Sequence, residues 1–404
     1  MSLTQTLLNP TVIADEALMQ LENALVMGNL VHRDYKKEFH KIGDTVTIRK
    51  PVKFVANDGY DITSQIQVIY EGSTTLKIAS RKNVAFQVSS AEMTLTIDKF
   101  SERYIQPAMI ALADKVDTDL MALYKNVYNA VGTPGTTPSS FTNLGDAAQR
   151  LTECGCPYPT RVAVFNPKAY WTLVNAFSNM YVTEVSKKAL QGGKLLPIAG
   201  FTIYESQNVP VHTCGTISAN TAVKTTVTSA STLTLVLCDT GTGTIAEGDV
   251  FTIATVNAVN HVGKADLGRV QQFVATAAVA DVSNGSIALS PTMVMSDDIV
   301  SGPPYQNISA YPVDTDVITL FTKTAATADT YVSNLAFHKN AFALVTVPLE
   351  LPQGAAYAAN KNSHNLSVRV IMDYNVLTDV QVIRFDIMYG VKTLYPELAC
   401  RIAG

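Results

Sequence analysis

The sequence predicts an α+β protein whose body is interrupted by an all-β domain. Three observations carry this expectation. One apolar stripe with helical spacing runs through residues 101–131. Helix and strand patterns then alternate over residues 142–211. From residue 213 to about residue 333 helical spacing disappears, and short β patterns recur between Gly, Asn and Asp turns. At 404 residues the chain is long enough for two or three domains.

Each element has a local reason. Within residues 11–31, Val12, Ile13, Ala17, Leu21, Leu25 and Gly28 recur at steps of about four, with Asp15 and Glu16 near the positive end, which predicts a helix. In "KIGDTVTIRKPVKF", Val46 and Ile48 alternate with Thr45, Thr47 and Arg49, a strand with one wet face. Two turn signals, Asn-Asp-Gly and Glu-Gly-Ser, fall within residues 57–75. Strand patterns return at Leu76–Ile78 and at Val84, Phe86 and Val88. Residues 43–90 therefore read as a long hairpin, too poor in apolar side chains to stand alone, that must rest on another surface.

The strongest local pattern follows. Ile105, Met109, Leu112, Val116, Leu120, Leu123 and Val127 step by 4, 3, 4, 4, 3 and 4, which keeps one helix face apolar. Pro107 is tolerable in a first turn. From Ser101 to Val131 such a rod would span on the order of 45 Å, and "GTPGTTPSS" (132–140) ends it. "TNLGDAAQRLTEC" reads as a capped helix, "RVAVF" as a buried strand, and "NPKAYWTLVNAF" as a helix with Asn166 as cap and Pro167 at its first position. The β stretch supplies "STLTLVLCD", "GDVFTIATVNAV", "RVQQFVATAAVA", "GSIALS" and "DVITLF", which suit a small barrel or sandwich. The α/β character resumes at residue 334 and closes with "NLSVRVIMDYN" and "DVQVIRFDIMYGV".

Composition narrows the function classes. Charged residues make up only 16%, with a net charge of −4 and a pI near 5.9. A surface polar through Thr, Ser, Asn and Gln is cheap to desolvate and suits extensive subunit contacts, although an ordinary Thr-rich β protein fits equally. The densest basic run, "HRDYKKEFHK" (32–41), is broken by Asp34 and Glu38, so no nucleic-acid patch stands out. The five cysteines, Cys154, Cys156, Cys214, Cys238 and Cys400, form no disulfide framework. "MSLTQTLLNP" lacks the basic and apolar segments of a signal peptide, and no stretch of about 18 apolar residues occurs. A reducing cytoplasm is the expected place of synthesis.

Chemical motifs fail on context. "GTGTIA" (241–246) has the letters of a dinucleotide fingerprint, but "EGDVFTI" follows it as turn and strand, where a helix is needed. "GGK" (192–194) and "GK" (263–264) lack the rest of a phosphate loop. Cys154-Gly-Cys156 and His212-Thr-Cys214 are spaced by one residue, too closely for an ordinary zinc pair. His32, His40, His212, His261, His338 and His364 match no metal or protease pattern, and no G-x-S-x-G elbow occurs. Asp297-Asp298 and Asp314/Asp316 lie in turn-like segments, and Asn284 and Asn307 match a glycosylation acceptor that matters only in secretion. In "LAFHKNAFALVTVP" (335–348) His338 and Lys339 have no nucleophile nearby, so the pair reads as a brief turn before a strand. No catalytic, cofactor-binding or metal-ligating residue is expected.

The order of segments resembles the major capsid proteins of tailed double-stranded-DNA phages. The similarity is to the coat protein of short-tailed enterobacterial phages, a Hong Kong 97-like fold with an insertion domain. It rests on "GDVFTIATVNAVN…GRVQQFVATA", "NLAFHKNAFALVTVPLELPQG" and "DIMYGVKTLYPELACRI". The resemblance implies an N-arm (1–42), an extended loop (43–92) and a peripheral domain with a spine helix (93–140). It implies an axial domain (141–213 and 334–380), an inserted β domain (214–333) and a closing peripheral strand (381–404). Arg49, Lys50, Lys53, Tyr60, Lys77, Arg81 and Lys82 become candidate contacts between subunits. Implied partners are other copies in hexamers and pentamers, a scaffolding protein, a portal protein and enclosed double-stranded DNA bound without sequence preference. No membrane, cofactor or Lys–Asn cross-link is implied. A tail or decoration protein, or a cytoplasmic α/β enzyme, is the alternative reading.

Overall fold

The computed structural model describes residues 10–34, 45–57, 59, 66–67, 69, 71–89, 101–178, 195, 197–218, 221–224, 233–283, 285–296, 302–322, 324, 328–355, 357–376 and 378–404. The chain opens with helices α1 (Pro10–Ala24) and α2 (Met27–Leu30), then strands β1 (Thr45–Arg49), β2 (Ser73–Lys77) and β3 (Ser80–Ser89). A π turn (Ser101–Ile105), helix α3 (Gln106–Met121) and a 3-10 turn (Ala122–Asn126) lead to β4 (Ala130–Val131). Helix α4 (Phe141–Glu153), β5 (Arg161–Phe165), α5 (Pro167–Ser178), β6 (Phe201–Glu205) and β7 (Val211–Thr213) follow. Next come β8 (Ala222–Val223), β9 (Leu233–Thr240), β10 (Val250–Val259), β11 (Asp266–Ala275), β12 (Ser286–Met293), the short helix α6 (Gly302–Tyr305) and β13 (Ile318–Leu320). The last strands are β14 (Thr330–His338), β15 (Phe342–Thr346), β16 (Tyr357–Ser363), β17 (Leu366–Asn375), β18 (Val380–Thr393) and β19 (Ala399–Ala403).

Two compact units result. One draws on Met1–Ile48, Thr74–Met121 and Phe342–Lys392, the other on Arg49–Ser73, Ala122–Ala341 and Thr393–Gly404. In the first unit the sheet order is β15–β18–β17–β16, with β3 also paired to β18. Alternation sends Val368, Val370, Met372, Ile383, Phe385 and Ile387 into the core. Helix α1 packs on β16, β17 and α3 through Ile13, Ala14, Ala17, Leu18 and Leu21, all buried. Val12, expected on that face, is 60% exposed.

In the second unit the α/β sheet runs β4–β19–β14–β5–β6. Helices α4 and α5 lay Leu144, Ala147, Leu151, Leu173 and Phe177 on Ala163, Phe165, Phe201 and Ile402 of that sheet. Asn166 caps α5, its Oδ1 accepting the Ala169 N–H at 3.0 Å. The five β segments read between residues 213 and 333 all form strands, in a six-stranded sheet ordered β13–β10–β11–β12–β9–β8. That sheet has its own core, centred on Phe251, Ile253, Phe273, Ile287 and Ile318. The chain leaves the α/β sheet at β7 and returns at β14, and these two strands pair (Val211↔Val332, Tyr331↔His212). A β domain can be inserted between two such strands without disturbing the sheet.

Four expectations change. The long helix keeps its apolar face from Ile105 to Leu120 but is α-helical only to Met121. The next turn tightens to 3-10, and three residues per turn bring Tyr124 inward in place of Leu123. The hairpin is limited to β1 and β2, while β3 is a full partner of β18 over ten residue pairs (Val380↔Ser89 to Tyr389↔Ser80). The other surface the hairpin reading called for is therefore supplied to β3 by its own chain. Residues 334–380 divide, since His338 ends a strand of the α/β sheet while Phe342 begins one in the first unit. Residues 381–404 form two strands, β18 and β19, because Pro396 starts a 3-10 turn between them.

Candidate functional site: assembly surface and buried polar centres

The candidate contact residues lie on and beside the β1–β2 hairpin. Lys50 donates its backbone N–H to Gly72 O at 2.7 Å, which closes the base of the connection. Arg49 pairs with Glu71 at 3.1 Å on an exposed surface, a contact worth little by itself. Lys50 Nζ lies 5.9 Å above the Tyr395 ring. The Lys53 backbone N–H reaches Tyr305 Oη at 3.2 Å. Lys77 is exposed, and Tyr60 lies outside the described residues. Phe54, Ile66 and Ile69 in the same connection are 64%, 76% and 65% exposed, unusual for large apolar side chains so close in sequence.

Arg81 and Lys82 on β3 each meet a carboxylate of their own subunit. Lys82 Nζ pairs with Asp119 at 3.3 Å. Arg81 donates to Asp386, and Asp386 is the centre of a cluster that the sequence reading did not contain. Asp386 on β18 is fully buried and accepts from Arg369 Nη2 at 2.5 Å, Arg384 Nε at 2.8 Å and Arg81 Nη2 at 3.2 Å. Register explains the convergence, because Arg369 on β17 stands directly opposite Asp386 and Arg384 lies two residues away on the same face. Burial is the largest influence on this carboxyl and would raise its pKa. The bonds and charges of Arg369 and Arg384 together outweigh it and hold the pKa below the ordinary value. Arg369 also donates Nη1 to Glu350 O at 2.6 Å, while its buried Nε has no partner among the described residues.

A second buried centre joins the 3-10 turn, β7, β14, β19 and the β domain. His212 Nδ1 meets Tyr124 Oη at 2.9 Å and His212 Nε2 meets Asp249 Oδ1 at 2.8 Å. Asp249 Oδ2 accepts the backbone N–H groups of Gly215 and Ala246 at 2.9 and 2.7 Å. Arg401, fully buried, donates to Gly248 O at 2.7 Å and Lys125 O at 3.2 Å, with its guanidinium 5.1 Å from the Tyr124 ring. Burial pulls the Arg401 pKa down, partly offset by Tyr331 and Tyr124. Asp249 adds a carboxylate to the His212–Cys214 pair, and one donor atom from each residue lies within 4.8 Å of the others. The His212 and Asp249 donors bond to each other, so a metal would have to replace that bond. Burial, then the Asp249 charge, pushes the Cys214 thiol up to about 12, the reverse of what an activated nucleophile needs.

His338 is accounted for by local structure. Its Nδ1 accepts the Asn340 N–H at 3.2 Å, closing the 3-10 turn Lys339–Ala341, and its Nε2 meets Thr160 Oγ1 at 2.9 Å. Burial first, and the Arg161 charge second, lower its pKa. "GTGTIA" leads into a turn and β10 with no helix, and a Cβ on Gly243 would sit 1.5 Å from Thr216 O. That glycine serves close backbone packing. Among the described residues no helix is long and apolar enough to cross a membrane.

These features define a subunit with two buried polar centres and with Phe54, Ile66 and Ile69 exposed in its hairpin connection. Residues 1–404 match the family model described as P22 coat protein, gene protein 5, and the chain belongs to that family of phage coat proteins. No curated protein matches it. Solved structures to which the chain is similar include that of Mycobacterium phage Che8 (16% identity, 94% of this chain and 90% of that chain, TM-score 0.47). Another is the capsid structure of the cyanophage P-SCSP1u (13% identity, 94% and 87%, TM-score 0.45). A third is the capsid of Ralstonia phage GP4 (8% identity, 93% and 86%, TM-score 0.46). Membership of that coat-protein family makes the chain a major capsid protein, in place of the tail and decoration readings.

Proposed function

We propose that this coat subunit self-assembles through hexamers and pentamers into the icosahedral shell of a phage particle, first as a procapsid and then as the mature head. The observation that carries the route of assembly is the connection between β1 and β2, which exposes Phe54, Ile66 and Ile69 beside Arg49, Lys50 and Lys53. A neighbouring subunit would cover that surface, with Arg49, Lys50, Lys53, Tyr60 and Lys77 as contacts. Many moderate contacts allow errors to be corrected during growth, each of standard size burying about 1,600 Å². In this reading residues 1–42 act as the N-arm, the β1–β2 hairpin within 43–92 as the extended loop, 141–213 with the following α/β residues as the axial domain, and 214–333 as an inserted domain supporting capsomer contacts. The role is structural and non-catalytic. Assembly takes place in the bacterial cytoplasm with a scaffolding protein and a portal protein. A net charge of −4 suits a wall that encloses double-stranded DNA without gripping its phosphates.

Electron microscopy of the chain assembled in the presence of its scaffolding protein, with and without Pro51–Glu71 deleted, tests this. Lys50 and Gly72 already meet at 2.7 Å, so a short turn can rejoin them without disturbing β3. Shells from the intact chain and soluble, unassembled subunits from the deletion are expected. Normal shells from the deletion would refute the role given to the hairpin.

A further inference from the structure

Three guanidinium groups share one carboxylate on the β3–β18–β17 face, which leaves two positive charges unmatched among the described residues. Among the described residues no other carboxylate lies within ion-pair distance of Arg81, Arg369 or Arg384. The side chains of Arg81 and Arg384 are 44% and 39% exposed, whereas Arg369 and Asp386 are buried beneath them. Arg384 gives only Nε to Asp386 and Arg81 only Nη2, so among the described residues each keeps N–H groups without an acceptor. Arg369 Nε is buried and has no acceptor among the described residues. Asp386 thus fixes three arginines in place with donors to spare. One acid would have sufficed for a single arginine, so a purely structural ion pair does not explain the other two.

We propose that Arg81 and Arg384, braced by Asp386 and Arg369, receive a carboxylate from a second copy of this chain. The inference rests on the shell-forming role and names one of its contacts. Guanidinium groups held in a fixed geometry suit a planar, two-oxygen acceptor, and their weak hydration makes them easier to bury than an ammonium. The chain carries 34 acidic against 30 basic residues, so an approaching copy offers carboxylates in excess, opposite in sign to this cluster. Around the arginines, the outward positions of β3 are Asn83, Ala85 and Gln87, and β18 adds the 37% exposed Val382, none of which opposes desolvation by a charge.

The test compares the intact chain with Arg384→Gln, Arg384→Lys and the double variant R81Q/R384Q, measuring subunit melting and the protein concentration at which shells form with scaffolding protein present and without DNA. Asp386 keeps its Arg369 bond in every variant, so the subunits are expected to melt within a few degrees of the parent. The double variant should raise the threshold for assembly about tenfold and weaken its salt dependence, with Arg384→Lys intermediate. Folded variants that assemble at the parental threshold overturn the inference. So does a defect that appears only when DNA is present, since the ligand would then be a phosphate. If the double variant does not fold, Arg384→Lys decides by the same threshold. Failure of the parent chain to form shells would instead strike the shell-forming reading and take this inference with it.

Discussion

His212 Nε2 lies 2.8 Å from Asp249 Oδ1, and neither side chain reaches solvent. The pair has the look of a catalytic dyad, yet its third member is the Tyr124 hydroxyl and the other Asp249 oxygen is held by two backbone N–H groups. Its work is to fasten the β domain beside the strand that leads into it. Asp249→Ala would leave His212, Gly215 and Ala246 with unmet donors in a buried site. At about 1–3 kcal/mol for each unsatisfied group, a loss of at least about 3 kcal/mol in urea unfolding is expected. Tyr124→Phe, which removes one hydroxyl and keeps the ring under Arg401, should cost about 1 kcal/mol. Equal effects from the two changes would contradict this division of roles.

Gly390 shows why β2 and β3 meet β18 so closely. A Cβ at this position would stand 2.5 Å from Lys77 O, a backbone atom with little room to withdraw. Gly390→Ala should therefore destabilise the first unit by about 1–3 kcal/mol through overpacking. Thermal unfolding would register it, and an unchanged midpoint would show that the corner between β2 and β3 yields freely.

Asp117 ties α3 to the short helix α2 by accepting the N–H groups of Val26, Met27 and Gly28 at 2.7, 3.3 and 2.9 Å. Burial raises its pKa above 3.8 in spite of those three bonds. A carboxyl with a raised folded pKa contributes stability that is complete below 3.8 and is lost as pH climbs through the folded value. Asp117→Asn removes that slope. The stability gap between parent and variant should narrow as pH rises from about 3 to about 7, as read by denaturant midpoints along the series. A gap that widens would reverse the sign assigned to this group.

The sequence made the regular elements legible because periodicity reports one-sided burial. The stripe from Ile105 to Leu120, the Asn166–Pro167 start of α5 and the five strands of the β domain are all visible as alternation or capping. What stayed hidden depends on partners far along the chain. Leu123 continues the helical spacing, whereas the tighter turn places Tyr124 against His212 and Arg401, partners far along the chain. Phe86 and Phe385 meet with ring centroids 6.1 Å apart across 299 positions of sequence, which no local pattern around either one announces. For the buried polar centres a faint signal exists. Asp386 sits between Phe385 and Ile387, and Arg401 between Cys400 and Ile402, so each is a charge inside an apolar run that must find a buried counterpart.

Asp386 should behave oppositely to Asp117 in the same unit. Its folded pKa is held below 3.8, so its contribution is complete above 3.8 and disappears as pH falls through the lower folded value. Asp386→Asn strips the carboxylate from three arginines and leaves the buried Arg369 without its counter-charge. Breaking a buried pair of this kind costs about 3–5 kcal/mol, and the lower end applies here because Arg81 and Arg384 are partly solvated. Near neutral pH the variant should therefore unfold well before the parent. Below 3.8 the parent's own carboxyl takes up a proton and the two stabilities should converge. A series of urea unfolding curves across that range, on unassembled subunits, separates the two acids. Convergence on the acid side belongs to Asp386 and narrowing on the alkaline side to Asp117. A difference between parent and D386N that stays constant with pH would mean that the arginines do not depress this carboxyl at all.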